Sequence, residues 1–298
     1  MPLKNAILGS LIALAVVLPT WSHAASTRLF ADATVVTRDR FSDEIVGRGP
    51  ELILVPGLAS SRATWKATAD RLRSNYRLHL IQIAGFAGEP VRGNAAGDVL
   101  VPTAEALDAY LVEQHLAPAT VIGHSLGGTM ALYLAEHHGD HLKKVLLVDS
   151  LPFYSVLMGG PNATVDSIRP MAERIRASTT RAPNMDRVIA GMVTSPDNRA
   201  LVNDWGLASD VSTVNRAVAD DMELDLRPGL AAIATPITLL YPDYAPAGAP
   251  PGMTDGMYGQ AYAAAPHKTL TRIDNSLHFI MFDQPAAFAT ALDAFLKD

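Results

Sequence analysis

The chain has 298 residues, 49% of them hydrophobic and 18% charged, with a formal net charge of -6. That balance belongs to a globular protein and excludes a disordered chain, and the mild acidity excludes the basic footprint of a nucleic-acid binder. With no cysteine, disulfides, thiolate metal sites and a cysteine-borne lipid anchor are excluded as well.

The N-terminus reads as an address. Lys4 supplies a positive charge, Ala6 to Leu18 is apolar apart from Gly9 and Ser10, and Pro19 ends the run. Ser22-His23-Ala24 places small residues where a signal peptidase cuts, so residues 1–24 are expected to be a secretory signal. The run is short for a span of about 20 residues. The mature protein is therefore expected in the periplasm or outside the cell without stable membrane insertion, an uncleaved anchor being the alternative.

Residues 25–48 read as a leading hairpin with a β-rich patch at Ala33–Thr37. Glu51–Val55 is a short apolar strand closed by Pro56-Gly57, and Ser60–Arg73 carries apolar residues at helical spacing. Tyr76–Ile83 is a strand stopped by Ala84-Gly85-Phe86-Ala87-Gly88, Pro102–Leu116 a helix, and Thr120–Ile122 a strand. Leu126–His137 is a helix and Lys144–Val148 another strand. Strands that are continuous apolar runs alternating with helices imply an α/β fold, a doubly wound and mostly parallel sheet.

The rhythm then breaks. Residues 151–225 hold helical stretches and scattered methionines, with no convincing buried strand. They are expected to form an inserted helical cap on a core made of residues 25–150 and 226–298. A strand resumes at Pro236–Tyr241, followed by a Pro/Gly/Ala-rich loop, a helix at Met257–Ala265, a strand at Thr269–Ile273 and a closing helix at Pro285–Leu296.

Gly123-His124-Ser125-Leu126-Gly127-Gly128 follows one of these strands and opens a helix. This is the context a G-x-S-x-G nucleophile elbow requires: a sharp turn lifts the hydroxyl above the sheet at the positive end of a helix. Side chains at Gly123 and Gly127 are expected to collide with neighbouring backbone. The amide of the residue after the nucleophile, Leu126, is one expected oxyanion donor. A serine hydroxyl needs a base, and imidazole titrates near neutral pH. Of nine histidines, His278 lies between the last strand and the last helix. His124 sits in the elbow itself, His79 within a strand, and His137, His138 and His141 at a helix end.

Over nearly the whole mature length the chain resembles the α/β-hydrolase fold family. Leu54-Val55-Pro56-Gly57-Leu58 is similar to the family's oxyanion loop, with Pro56 where His is usual, and Ser276 to Pro285 is similar to its terminal histidine loop. The resemblance implies that His278 is the base and that the Leu58 amide completes the oxyanion hole. The acid stays open. The usual Gly-x-x-Asp loop after the seventh strand is broken here, with Pro242 and Ala245 at the aligned positions and Asp243 nearby. Some members, such as haloalkane dehalogenases, place the acid after the sixth strand, which is where Asp149 stands. Asp149 is preferred, with Asp243 the alternative and Asp255 or Asp274 behind them.

These residues point to a serine hydrolase working through an acyl-enzyme, a carboxylesterase for an uncharged or fatty acyl ester, with no cofactor. Peptidase, lactonase and cofactor-free haloperoxidase activities remain open, as does a non-catalytic ligand-binding protein on the same fold. No metal is expected: in His137-His138-Gly139-Asp140-His141, adjacent helical residues point apart and cannot share an ion.

Overall fold

The computed structural model describes residues 28–297, so the expected signal segment lies outside the described residues. Eight strands form one sheet: β1 Thr34–Thr37, β2 Phe41–Gly47, β3 Glu51–Val55, β4 Arg77–Ile83, β5 Ala119–His124, β6 Leu142–Val148, β7 Ile237–Pro242 and β8 Lys268–Ile273. Their order is β1-β2-β4-β3-β5-β6-β7-β8. β1 pairs with β2 and β2 with β4 antiparallel, and every later pairing is parallel. The leading hairpin and the mostly parallel sheet are thus both present.

The helices are α1 Lys66–Leu72, α2 Leu100–Glu113, α3 Leu126–His137, α4 Val156–Gly159, α5 Val165–Arg176, α6 Met185–Ala190, α7 Pro196–Ala208, α8 Val211–Glu223, α9 Met253–Ala261, α10 Ile280–Asp283 and α11 Pro285–Lys297. The sheet separates two apolar layers, and this explains the continuous apolar runs. Along β5 and β6, Val121, Val145 and Leu147 pack with α2 and α3 on one face. Ile122, Leu146 and Val148 pack with Trp65 and α11 on the other. Alternate residues serve opposite faces, so neither set can be polar.

Between β6 and β7 the described residues form α4 to α8 and no strand. Asp220 of α8 ties this segment to the core. Its Oδ2 accepts the N–H groups of Val99 and Leu100, at 2.6 and 3.1 Å, where α2 begins. Its Oδ1 takes a 2.6 Å bond from Arg176 of α5. The first four N–H groups of a helix lack intrahelical partners, and a carboxylate there satisfies two of them and also meets the positive end of the helix dipole. Among the described residues no helix is long and apolar enough to cross a membrane.

Candidate active site

The elbow has the strain its sequence implies. Ser125 sits at φ 53°, ψ -122°, directly before α3, a conformation L-residues avoid and that persists only when its surroundings enforce it. The enforcement is visible. The Ser125 N–H donates to the Val148 carbonyl at 2.9 Å, locking the turn to the end of β6. A Cβ on Gly123 would come 2.1 Å from the Gly127 carbonyl oxygen, and one on Gly127 would come 2.4 Å from that of Val55. Both glycines are required by close backbone approach.

Asp149 follows β6 and is likewise held in the left-handed region, at φ 48°, with its N–H on the Leu240 carbonyl at 2.8 Å. Its carboxylate is buried and receives three donors. His278 Nδ1 lies 2.6 Å from Oδ2 and the Tyr244 hydroxyl donates to Oδ2 at 2.8 Å. The Tyr258 hydroxyl donates to Oδ1. Burial alone would raise its pKa, but the facing His278 and the three hydrogen bonds hold it below the ordinary aspartate value. It is therefore an ionised acceptor that fixes the Nδ1–H tautomer of His278 and leaves Nε2 free. Ser125, Asp149 and His278 line one cavity of about 210 Å³.

Asp243 has a different task. Its Oδ1 accepts the Ala245 and Ser276 N–H groups at 3.0 and 3.3 Å, and its Oδ2 that of Asn275 at 3.0 Å. It braces the β7 loop against the histidine loop with both oxygens occupied. Asp255 takes the Tyr241 hydroxyl and Arg272, and Asp274 takes Arg272. Among the four aspartates considered, Asp149 alone is recorded bonded to His278.

Leu126 is the first residue of α3. Leu58 follows Gly57, whose added Cβ would come 3.0 Å from Ser125 Cβ and 3.0 Å from His124 Nδ1. The Gly57-Leu58 backbone therefore lies against the serine, and among the described residues neither the Leu58 nor the Leu126 N–H donates to a backbone carbonyl in a turn or loop. His124 is fully buried, packs at a tilt against the rings of His278 and Phe279, and bonds through Nε2 to the His278 carbonyl at 3.0 Å. Burial first, then the nearby His278, push its pKa down to about 3, so it is neutral.

Tyr244 and Tyr258 carry no motif and were not singled out from the sequence. The available signal for the second was the i, i+4 spacing of Tyr258 in α9 and Tyr262 at its C-terminal cap. Both are buried, and Tyr262 donates to the Ser150 carbonyl at 3.0 Å, so α9 and its C-terminal cap hold the Asp149 loop at two points.

At the opposite end of the strands, His138, His141 and Asp108 bring ligand-type atoms within 4.8 Å of one another. The neighbour argument covers His137, whose Nδ1 turns back to the Tyr133 carbonyl, but not His138 and His141. His141 Nδ1 lies 2.8 Å from Asp108 Oδ1, and His138 Nε2 lies 3.1 Å from Glu105.

An alpha/beta hydrolase family model matches residues 52–291. The chain is 25% identical to a pimeloyl-[acyl-carrier protein] methyl ester esterase of Vibrio cholerae over 85% of this chain and 94% of that one. A thermophilic esterase from Thermogutta terrifontis superposes with a TM-score of 0.71 at 20% identity, over 89% of this chain and 98% of that one. The enol-lactonase from Burkholderia xenovorans LB400 does so with a TM-score of 0.69 at 18% identity, over 87% and 96%. These two likenesses show the fold, while the family match spans the elbow, the Asp149 loop and the histidine loop: the chain belongs to the alpha/beta hydrolase family.

Proposed function

We propose that the protein is a serine carboxylesterase that hydrolyses an ester of an uncharged or fatty acyl group through an acyl-enzyme. The observation that carries this reading is the 2.6 Å contact of His278 Nδ1 with buried Asp149, in the cavity that Ser125 lines. Ser125 Oγ attacks the acyl carbon while His278 Nε2 takes its proton. Asp149 stabilises the imidazolium, and the oxyanion rests on the Leu126 and Leu58 N–H groups. His278 returns the proton to the departing alkoxide. Water, deprotonated by the same nitrogen, then releases the acid and restores the serine.

The acyl preference rests on a second cavity of about 500 Å³, which Leu58 shares with Ile189, Leu207, Val211, Val214 and Val218. The residues from α6 to α8 thus supply an apolar wall over the oxyanion side, the role expected of a cap. The Vibrio cholerae relative is named for a methyl ester esterase, which agrees with ester chemistry at this site. Export rests on residues 4–24 alone. Intact mass of the exported protein should show a chain beginning near Ala25, and a full-length mass would refute cleavage.

The decisive experiment is labelling with a fluorophosphonate together with turnover of p-nitrophenyl esters of rising chain length. Labelling and turnover should both vanish in Ser125→Ala, with kcat falling on the order of 10⁶. An unlabelled wild-type serine would overturn the reading in favour of a binding protein.

A further inference from the structure

α8 carries one side-chain stripe past both cavities. Val211, Val214 and Val218 line the apolar one, and Asp221, three residues further on, lines the small one beside Ser125 and His278. Spacings of three, four and three put all four on one face of the helix. This face thus borders an apolar cavity with its first half and, with its last residue, the small cavity that Ser125 lines.

One oxygen of that carboxylate is left unpaired. Asp149, the other acid of the small cavity, is occupied by His278, Tyr244 and Tyr258. Asp220, the next residue back, is bound to Arg176 and to the start of α2. Asp221 Oδ1 is sealed from solvent with no hydrogen-bond partner among the described residues. None of the described residues lining the cavity is a lysine or arginine. Burial pushes the Asp221 carboxyl up to about 7, a hydrogen bond with Thr129 and the nearby His278 oppose this, and Asp220 adds to it. A buried carboxyl oxygen without a partner is costly, and such departures concentrate at functional sites.

We propose that Asp221 is the recognition point of an ammonium subsite, so that the preferred substrate is an ester of an apolar acid with a small cationic alcohol. The orientation follows from His278. It lines the Asp221 cavity and is the acid that must protonate the leaving alkoxide, so the alcohol lies on this side and the acyl chain on the valine side. The cavity, about 210 Å³, holds a small headgroup. Tyr154 also lines it and offers an aromatic wall to a cation.

This proposal rests on the hydrolase reading, and its test separates the two. Choline butyrate and its uncharged isostere 3,3-dimethylbutyl butyrate differ in charge and little in shape. The ratio of their kcat/KM values should favour the cation by about tenfold or more, the scale of a charge-assisted contact. Asp221→Asn and Asp221→Leu should each reduce the ratio to about one. Calorimetry of Ser125→Ala protein with the same two esters gives a second measure that needs no turnover, and the same preference should appear in Kd. Hydrolysis of the neutral ester without cation preference overturns the subsite and leaves the hydrolase. Cation-selective binding without turnover in the wild type supports the subsite and overturns the hydrolase. Equal binding of both esters overturns the subsite in either case.

Discussion

His124 and His278, 154 positions apart in sequence, are joined through a ring and a main chain: His124 Nε2 lies 3.0 Å from the His278 carbonyl oxygen. A carbonyl only accepts, so Nε2 carries the hydrogen and Nδ1 is a bare lone pair, buried with no recorded hydrogen-bond partner among the described residues. The elbow thus holds the histidine loop by its backbone, leaving the His278 ring free to bond Asp149.

The cost of that arrangement is acid sensitivity. The pKa of His124 is about 3 in the folded protein, against about 6.5 for a free imidazole. The unfolded chain therefore binds the proton more tightly, so stability is full above about pH 6.5 and is lost as pH falls toward 3, by about 1.4 kcal/mol per unit. Glutamine at this position presents a donor at similar reach and cannot be protonated. His124→Gln should show a smaller fall in Tm than the wild type between about pH 6.5 and about pH 4. Parallel falls in the two proteins would show that His124 is not the group responsible.

Asp149→Asn and Asp243→Asn should separate chemistry from structure. At Asp149 an amide can donate to His278 Nδ1 and fix the wrong tautomer, a change that costs about 10⁴ in kcat in a serine protease triad. At Asp243 an amide keeps an oxygen for Ala245 and Ser276 and loses the acceptor for Asn275. The expected result is lower stability, by about 1–2 kcal/mol, with kcat within about tenfold of wild type. Both Tm and kcat must be measured on both variants. A loss of three or more orders of magnitude confined to Asp243→Asn, roughly the triad scale, would reverse the assignment.

Tyr258→Phe removes one of three donors to the Asp149 carboxylate and keeps the packing of the ring against Tyr241. With one stabilising bond gone, the Asp149 pKa should rise and its grip on the imidazolium weaken. A charged hydrogen bond is worth about 1.5–3 kcal/mol, so kcat should fall by about tenfold or more with little change in KM. A change in KM alone would place Tyr258 in substrate binding instead. Tyr244→Phe, at the other oxygen, should act in the same direction.

The parallel strands, α3 and the elbow were legible because their signals are local: apolar runs and close-packed glycines have few other uses. The choice between Asp149 and Asp243 was not settled by such signals, since both follow strands and only the path of the histidine loop across β6 and β7 decides between them. The burial of β2 was hidden for another reason. Ser42, Asp43 and Glu44 fall in the second half of the expected hairpin as a polar run, yet all three are buried in the strand. Asp43 meets His79 and Tyr110, while Glu44 meets Arg62 and the N–H groups of Leu29 and Phe30. Those partners come from separate parts of the chain, so no window of sequence contains the reason for the burial. Asp221 was obscured similarly, lying beside Asp220 in a helix whose acidic end looks solvated.

The Asp221 subsite makes one further prediction, on pH. Its carboxyl is pushed up to about 7, chiefly by burial. It is charged above that value and neutral below, so attraction for an ammonium group should be full at about pH 8.5 and largely lost at about pH 5.5. Other ionisable groups also face this space: His278, Asp149, Tyr154, Tyr244 and Tyr258 line the cavity and Asp220 lies beside it. Protonation of His278 stops turnover of both butyrate esters alike, and Asp149 and the tyrosines have their pKa values displaced away from this range. The ratio of kcat/KM for choline butyrate to that for 3,3-dimethylbutyl butyrate therefore cancels the chemistry and isolates Asp221. It should rise through a single transition centred near 7 in the wild type and be flat in Asp221→Asn. A transition that survives in the variant would assign the titration to another group and remove Asp221 from recognition of the alcohol.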